Sequence, residues 1–142
     1  MANQKYYDDI TVGEELPSLV KHPTPRQLVQ WAGATGEFCE MHYNETFAKE
    51  KGFPGIIVHG MLTASFICQM VNEWMGEEGD LKKVSISNRA MLFPDQDVIC
   101  KGKVADKFEQ DGEKMVKVDI SAENPKGDLA VVGSIDITVP SK

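Results

Sequence analysis

The segment Gly60–Met75 constrains the fold more than any other part of this sequence. Its apolar residues occupy almost every side of a helix instead of one stripe, and Gly76 follows as a stop signal. Polar residues interrupt the run, which is also too short to span a bilayer. The segment therefore predicts a central helix that other elements of the domain must cover.

Beyond this helix, the apolar residues follow the alternating period of β-strands. Four segments alternate in this way, and they begin near Val84, Val98, Val116 and Val131. Turn-rich stretches at 93–97, 110–113 and 124–128 predict short hairpins between them. A short bent strand is expected near the start of the chain, over 10–13 and 16–21. The sequence thus predicts an α+β fold, a five-stranded antiparallel sheet wrapped around the buried helix.

Two shorter helices are expected before the central one. Thr24 is a good N-cap and Pro25 fits the first turn, so a helix should begin there and stop near 33–36. Asn44 can cap the second helix, which Gly52 should end.

Length and charge limit the domain count and the partners. A chain of 142 residues that is 42% apolar can bury one real core, so a single domain over 1–142 is expected. The net charge of −7 argues against nucleic-acid and anionic-membrane partners. The N-terminus lacks the apolar core of a signal peptide, and the three cysteines form no CxxC pair. A reduced, cytoplasmic protein is therefore expected.

A carboxylate and two imidazoles lie close together just before the central helix. Glu37 and His42 are five positions apart, and His59 immediately precedes Gly60. Histidine titrates near neutral pH, and the first N–H groups of a helix have no intrahelical partner. This combination predicts an acid–base site beside a backbone donor that stabilises negative charge.

Each of these residues also has a purely structural interpretation. Glu37 would then be a solvated loop acid, His42 a satisfied structural histidine and Gly60 a packing glycine. A metal site of Cys39, His42 and His59 matches no common ligand spacing, and no metal is expected.

The same segments resemble the MaoC-like family of hotdog-fold enoyl-CoA hydratases and dehydratases. That family has the approximate pattern A-x-S-G-D-x-N-P-x-H, followed by P-[IV]-x-H-G-M at the start of the central helix. The corresponding segments here are 34–42 and 57–61, and 88–97 is similar to the family's F-x-x-P-V-x-P-G-D strand and turn. The resemblance extends from about Asp8 to Val139 and implies a single hotdog domain. Glu37 stands where the family has aspartate, and Cys39 where it has asparagine.

The resemblance implies (R)-specific hydration of a trans-2-enoyl-CoA in fatty acid metabolism, or the reverse dehydration. Glu37 and His42 would share one water, and the N–H of Gly60 would bind the thioester oxygen. The carboxylate would either fix the ring tautomer of His42 and stabilise its imidazolium, or hold the water and act as the acid. Further candidates for substrate binding are Cys39, His59, Cys68 and Val71, although a structural role is favoured for His59. No cofactor is expected apart from coenzyme A within the substrate, and acyl carrier protein is an alternative carrier.

Two other functions stay open. A hotdog thioesterase would use a carboxylate near the central helix to activate water, although thioester hydrolysis does not require the pairing of Glu37 with His42. The departures at Glu37 and Cys39 suggest instead a non-catalytic subunit that binds an acyl thioester or a partner. The uncovered sheet edge and segment 24–59 predict a homodimer or a higher homo-oligomer.

Overall fold

The computed structural model describes residues 3–142; the predicted domain 1–142 includes residues 1 and 2, which lie outside that range. The helices are α1 (Pro25–Thr35), α2 (Glu45–Glu50) and α3 (Gly60–Met75). The strands are β1 (Leu19–Lys21), β2 (Asp80–Asn88), β3 (Val98–Gln110), β4 (Glu113–Glu123) and β5 (Leu129–Thr138). No helix within 3–142 has the length and apolar character that crossing a membrane requires.

The five strands form one antiparallel sheet in the order β1-β3-β4-β5-β2, as the predicted fold class requires. Tight turns join β3 to β4 and β4 to β5, as predicted. The predicted hairpin between β2 and β3 is wrong, because β2 pairs with β5 at the edge of the sheet. The alternation of apolar residues indicates a strand but carries no information about which strand lies beside it.

The predicted N-terminal strand is shorter than expected. Regular pairing with β3 covers only Leu19–Lys21, and Glu15 adds one isolated bridge to Lys103. Residues 10–13 lie outside any strand, and a turn spans 11–14, where the N–H of Glu14 donates to the carbonyl oxygen of Thr11 at 3.0 Å.

Helix α3 lies in the hollow of the sheet and supplies much of the single core cluster. Its buried residues are Leu62, Thr63, Ala64, Phe66, Ile67, Met70, Val71, Trp74 and Met75. Burying one large apolar side chain stabilises a fold by about 1.5–3 kcal/mol, so this face anchors the domain. One stripe of the helix remains uncovered, however, and Met61 in its first turn is 70% exposed.

The capping signals before α1 and α2 act as predicted. The hydroxyl of Thr24 accepts the N–H of Gln27 at 3.2 Å, and the Asn44 side chain accepts the N–H of Phe47 at 3.1 Å. Gly36 ends α1 in the left-handed region, with φ 77°. These local contacts fix both ends of the loop that carries Glu37.

Candidate active site

The loop after α1 folds the Glu37 side chain back on its own backbone. The N–H of Glu37 donates to the Thr35 hydroxyl at 3.3 Å, and the N–H of Cys39 donates to Glu37 Oε1 at 2.9 Å. The side chain is half exposed. Because one carboxylate oxygen is held within the loop, the other, Oε2, is free to face a neighbour.

That neighbour is His42, at the end of the 3-10 turn Glu40–His42. The buried ring has Nδ1 2.8 Å from the carbonyl oxygen of Ile57 and Nε2 3.4 Å from Glu37 Oε2. A carbonyl only accepts, so Nδ1 carries the hydrogen, and in the neutral ring Nε2 presents its lone pair toward Glu37. The Ile57 carbonyl thus makes the shorter contact to the ring, and the role expected for the Glu37 carboxylate stays a prediction.

His59 packs beneath His42 and is nearly inaccessible. The two rings are stacked, with centroids 3.8 Å apart and planes inclined by 21°, and the Trp31 ring lies 6.5 Å away from that of His59. Among residues 3–142, neither ring nitrogen of His59 has a hydrogen-bond partner. Burial lowers the pKa of His59, the adjacent His42 lowers it further, and Glu37 opposes both. The net effect is to lower the pKa of His59, which favours its neutral ring.

Three potential metal ligands meet here, which the sequence spacing did not predict. One ligand atom from each of Glu37, His42 and His59 lies within 4.8 Å of the others. A metal needs the in-plane lone pairs of both imidazoles to converge at about 2.0–2.1 Å. In the stacked arrangement these lone pairs run side by side. The geometry therefore disfavours coordination of one metal ion by both rings.

Gly60 begins α3 directly above this cluster. A Cβ on Gly60 would lie 3.0 Å from Asn88 Nδ2, so glycine allows the end of β2 to approach the helix. Gly60, His42 and Asn88 line one pocket of about 180 Å³, together with apolar side chains such as Ile57 and Leu92. The first N–H groups of α3 lack intrahelical partners, so the pocket combines a base with a backbone donor.

The other predicted substrate-binding residues lie elsewhere, and their roles stay predictions. The partly exposed Cys39 contributes its backbone N–H to the site. Cys68 lines a separate groove between α3 and β2, and Val71 is fully buried in the core. The sequence patterns did not identify Asn88 as a residue of this pocket. The signal they offered was an amide at the end of a strand with alternating apolar residues, at a position where the family pattern has phenylalanine.

The groove beside Cys68 is larger and more apolar than the pocket. It has a volume of about 680 Å³ and lies between the uncovered stripe of α3 and strand β2. Its lining residues are Met61, Ala64, Ser65, Cys68, Gln69, Asn72, Glu73, Val84 and Ile86. Strand β2 pairs only with β5, so its outer edge is open beside this groove.

Comparisons of the sequence and of the fold with known proteins point to the same family. The sequence model of the family described as "MaoC like domain" matches residues 8–125. The fatty acid synthase beta subunit TOXC of Cochliobolus carbonum is 30% identical over 138 residues. That alignment covers 94% of this chain but only 6% of TOXC, so this chain spans a small part of the curated relative's length.

Two solved structures are similar over nearly the whole chain. An (R)-hydratase from A. caviae involved in PHA biosynthesis is 22% identical, with a TM-score of 0.84, covering 93% of this chain and 98% of that one. The R-hydratase PhaJ1 from Pseudomonas aeruginosa is 20% identical, with a TM-score of 0.86, covering 96% and 86%. At these identities the similarity establishes the fold, which is the hotdog fold implied by the sequence resemblance.

Proposed function

The chain belongs to the MaoC-like domain family, and we propose that it hydrates a trans-2-enoyl thioester to the (R)-3-hydroxyacyl product, or catalyses the reverse dehydration. The observation that carries this proposal is the 3.4 Å separation of His42 Nε2 and Glu37 Oε2 beside the first turn of α3. The similarity to two (R)-hydratases supports the same reaction class.

His42 is the base in this mechanism. Its Nδ1–H is committed to the Ile57 carbonyl, so Nε2 accepts a proton from a water that also donates to Glu37 Oε2. The water oxygen attacks C3 of the substrate, and the C2=C3 electron pair moves toward the thioester oxygen. The proton on His42 then passes to C2 on the same face, which regenerates the neutral ring. A positioned acid–base group of this kind contributes about 10²–10⁴-fold to a rate.

Glu37 stabilises the imidazolium that forms between these two proton transfers. Its longer side chain, compared with the family's aspartate, is accommodated because the N–H of Cys39 holds Oε1 and turns Oε2 toward His42. Since this contact comes from the main chain, the loss of the family's asparagine side chain at Cys39 does not remove it. These contacts support a working dyad over a drifted, non-catalytic one.

The N–H of Gly60 binds the thioester oxygen as negative charge collects there. It lies in the first turn of α3, where the helix dipole favours negative charge, and on the wall of the pocket that His42 also lines. One such donor contributes on the order of 10²–10³-fold to a rate. Adding water to a double bond transfers no electrons to an acceptor, so the step needs no redox cofactor.

The groove beside α3 supports a homodimer. Met61 and Val84 are 70% and 43% exposed along it, next to the open edge of β2. Exposed apolar surface next to an unpaired strand edge is typical of an interface. A second copy would extend the sheet and cover this surface, while coenzyme A or an acyl carrier protein would present the substrate.

The test is incubation of the purified protein with crotonyl-CoA. Enoyl-thioester absorbance should fall without release of free thiol, and the product should be the (R)-3-hydroxy isomer. Release of thiol would overturn the proposal in favour of a thioesterase. No reaction with crotonyl, longer or branched enoyl-CoAs would favour a binding subunit.

A further inference from the structure

We propose that the side-chain amide of Asn88 is a second hydrogen-bond donor to the substrate's thioester oxygen, beside the N–H of Gly60. This inference rests on the proposed hydration function and adds a residue to it. No part of the sequence pattern assigns Asn88 a role.

The first observation is how the amide lies against Gly60. A Cβ built on Gly60 would meet Nδ2, Oδ1 and Cγ of Asn88 at 3.0, 3.2 and 3.3 Å. Because the three distances are nearly equal, the flat face of the amide covers the Gly60 Cα. Asn88 and Gly60 also line the same pocket of about 180 Å³, so the amide and the start of α3 share one wall of it.

The second observation is that the backbone of Asn88 is firmly positioned. Asn88 is the last residue of β2 and pairs with Val131 of β5. Beyond it, the N–H groups of Arg89 and Ala90 both donate to the carbonyl oxygen of Ala130, at 2.7 and 3.2 Å. These backbone contacts fix where the Cα of Asn88 lies relative to Gly60.

The third observation is that the amide is available. Within residues 3–142, the hydrogen bonds of this strand end are made by the backbone, and none holds the Asn88 side chain. The neighbouring candidates are committed: the Thr63 hydroxyl donates to the His59 carbonyl at 3.4 Å, and His59 is stacked under His42. Most of the remaining pocket wall is apolar, so the Asn88 NH₂ is the side-chain donor that a bound thioester oxygen would meet.

A second donor matters because negative charge collects on the thioester oxygen during the reaction. A carbonyl oxygen has two lone pairs, and the enolate formed after attack at C3 places a full charge on it. Gly60 supplies one N–H and Asn88 would supply the other. An interaction that strengthens as charge develops lowers the barrier, and it raises kcat instead of merely tightening substrate binding.

The decisive variant is Asn88→Asp, which keeps the shape and replaces the donor by a carboxylate oxygen. With crotonyl-CoA, kcat should fall by about 100-fold or more while KM stays near the wild-type value. Asn88→Gln, which retains an NH₂ group, should keep more activity than Asn88→Asp. The matched control is Asn3→Asp, the same change at an exposed site next to Gln4, which bonds the opposite end of α3. A wild-type kcat in Asn88→Asp, or a change confined to KM, would overturn the inference.

A binding measurement separates failure of this inference from failure of the proposed function. Acetoacetyl-CoA carries a thioester that forms an enolate, whose absorbance reports donors at the oxygen. Asn88→Asp should lower the bound enolate fraction relative to the wild type, whereas His42→Ala should alter turnover more than this signal. If the wild type hydrates nothing, the proposed function fails, and Asn88 is then judged on enolate binding alone. An unchanged enolate signal in Asn88→Asp would reject its role in that case too.

Discussion

A pocket and a groove flank the first turn of α3, and they differ more in the chemistry of their lining residues than in position. Gly60 lines a pocket of about 180 Å³ with His42, whereas the next residue, Met61, lines a groove of about 680 Å³ with Val84. The small pocket is lined by His42 of the Glu37–His42 pair and by the N-terminus of α3. The large groove offers exposed apolar surface next to an open strand edge. In the proposed function the pocket would therefore perform the chemistry and the groove would form the dimer interface.

The strongest test of this division is His42→Ala. Removing the base should lower kcat for crotonyl-CoA by about 10³-fold, because the remaining imidazole, that of His59, is nearly inaccessible and lies farther from Glu37 Oε2, at 4.0 Å against 3.4 Å for His42. The molecular mass in solution should not change, since His42 lies outside the groove. His22→Ala, at an exposed histidine, is the matched control and should keep full activity. Substantial activity in His42→Ala would refute the proposed mechanism.

Glu37→Gln should have the next largest effect on chemistry. The amide can still accept from the Cys39 N–H, but it no longer offers a charge to the His42 imidazolium, so kcat should fall by about 10²-fold. Glu50→Gln, on the exposed end of α2, should leave kcat unchanged.

Glu37→Asp then sharpens the comparison with the family, because it restores the residue of the family pattern. Activity that holds or rises would support a shared role for the carboxylate. Loss as severe as in Glu37→Gln would mean that the loop is built around the longer glutamate side chain.

The groove is tested by Val84→Asp. Each of two facing copies would then bury an unpaired carboxylate, which costs on the order of several kcal/mol, so the mass measured by light scattering should fall to that of one chain. Val12→Asp changes a valine outside the groove that is somewhat more exposed, 54% against 43%, and should leave the mass unchanged. An unaltered mass in Val84→Asp would exclude this surface as the interface.

The smallest expected effect concerns His59 and pH. Burial lowers the pKa of His59, so below its ordinary value of 6.5 the unfolded chain binds more protons than the folded protein. Stability should therefore be full above that value and decline as the pH falls below it. Denaturation by urea at several pH values measures this, and His59→Gln should flatten the decline while His22→Gln should not. An identical decline in His59→Gln would show that other groups cause it.

Local signals predicted the helices well because their causes are local. A capping side chain acts on an N–H two or three residues away, so Thr24, Asn44 and Gly36 were sufficient to place the ends of α1 and the start of α2. The position of β2 was not predictable in this way. Its pairing with β5 depends on contacts across about fifty residues of chain, and alternation along a strand does not encode its neighbour.

The sequence alone determined which reactive groups the protein carries, namely Glu37, His42 and a glycine at the start of a helix that must be buried. The tertiary structure determined which contacts these groups make. It brought the Ile57 carbonyl to His42, stacked His59 beneath it and laid Asn88 against Gly60. It also drew Val71 into the core and left Met61 exposed on the same helix. These outcomes depend on the packing of elements far apart in the chain, whereas spacing in the sequence records only what lies within a few residues.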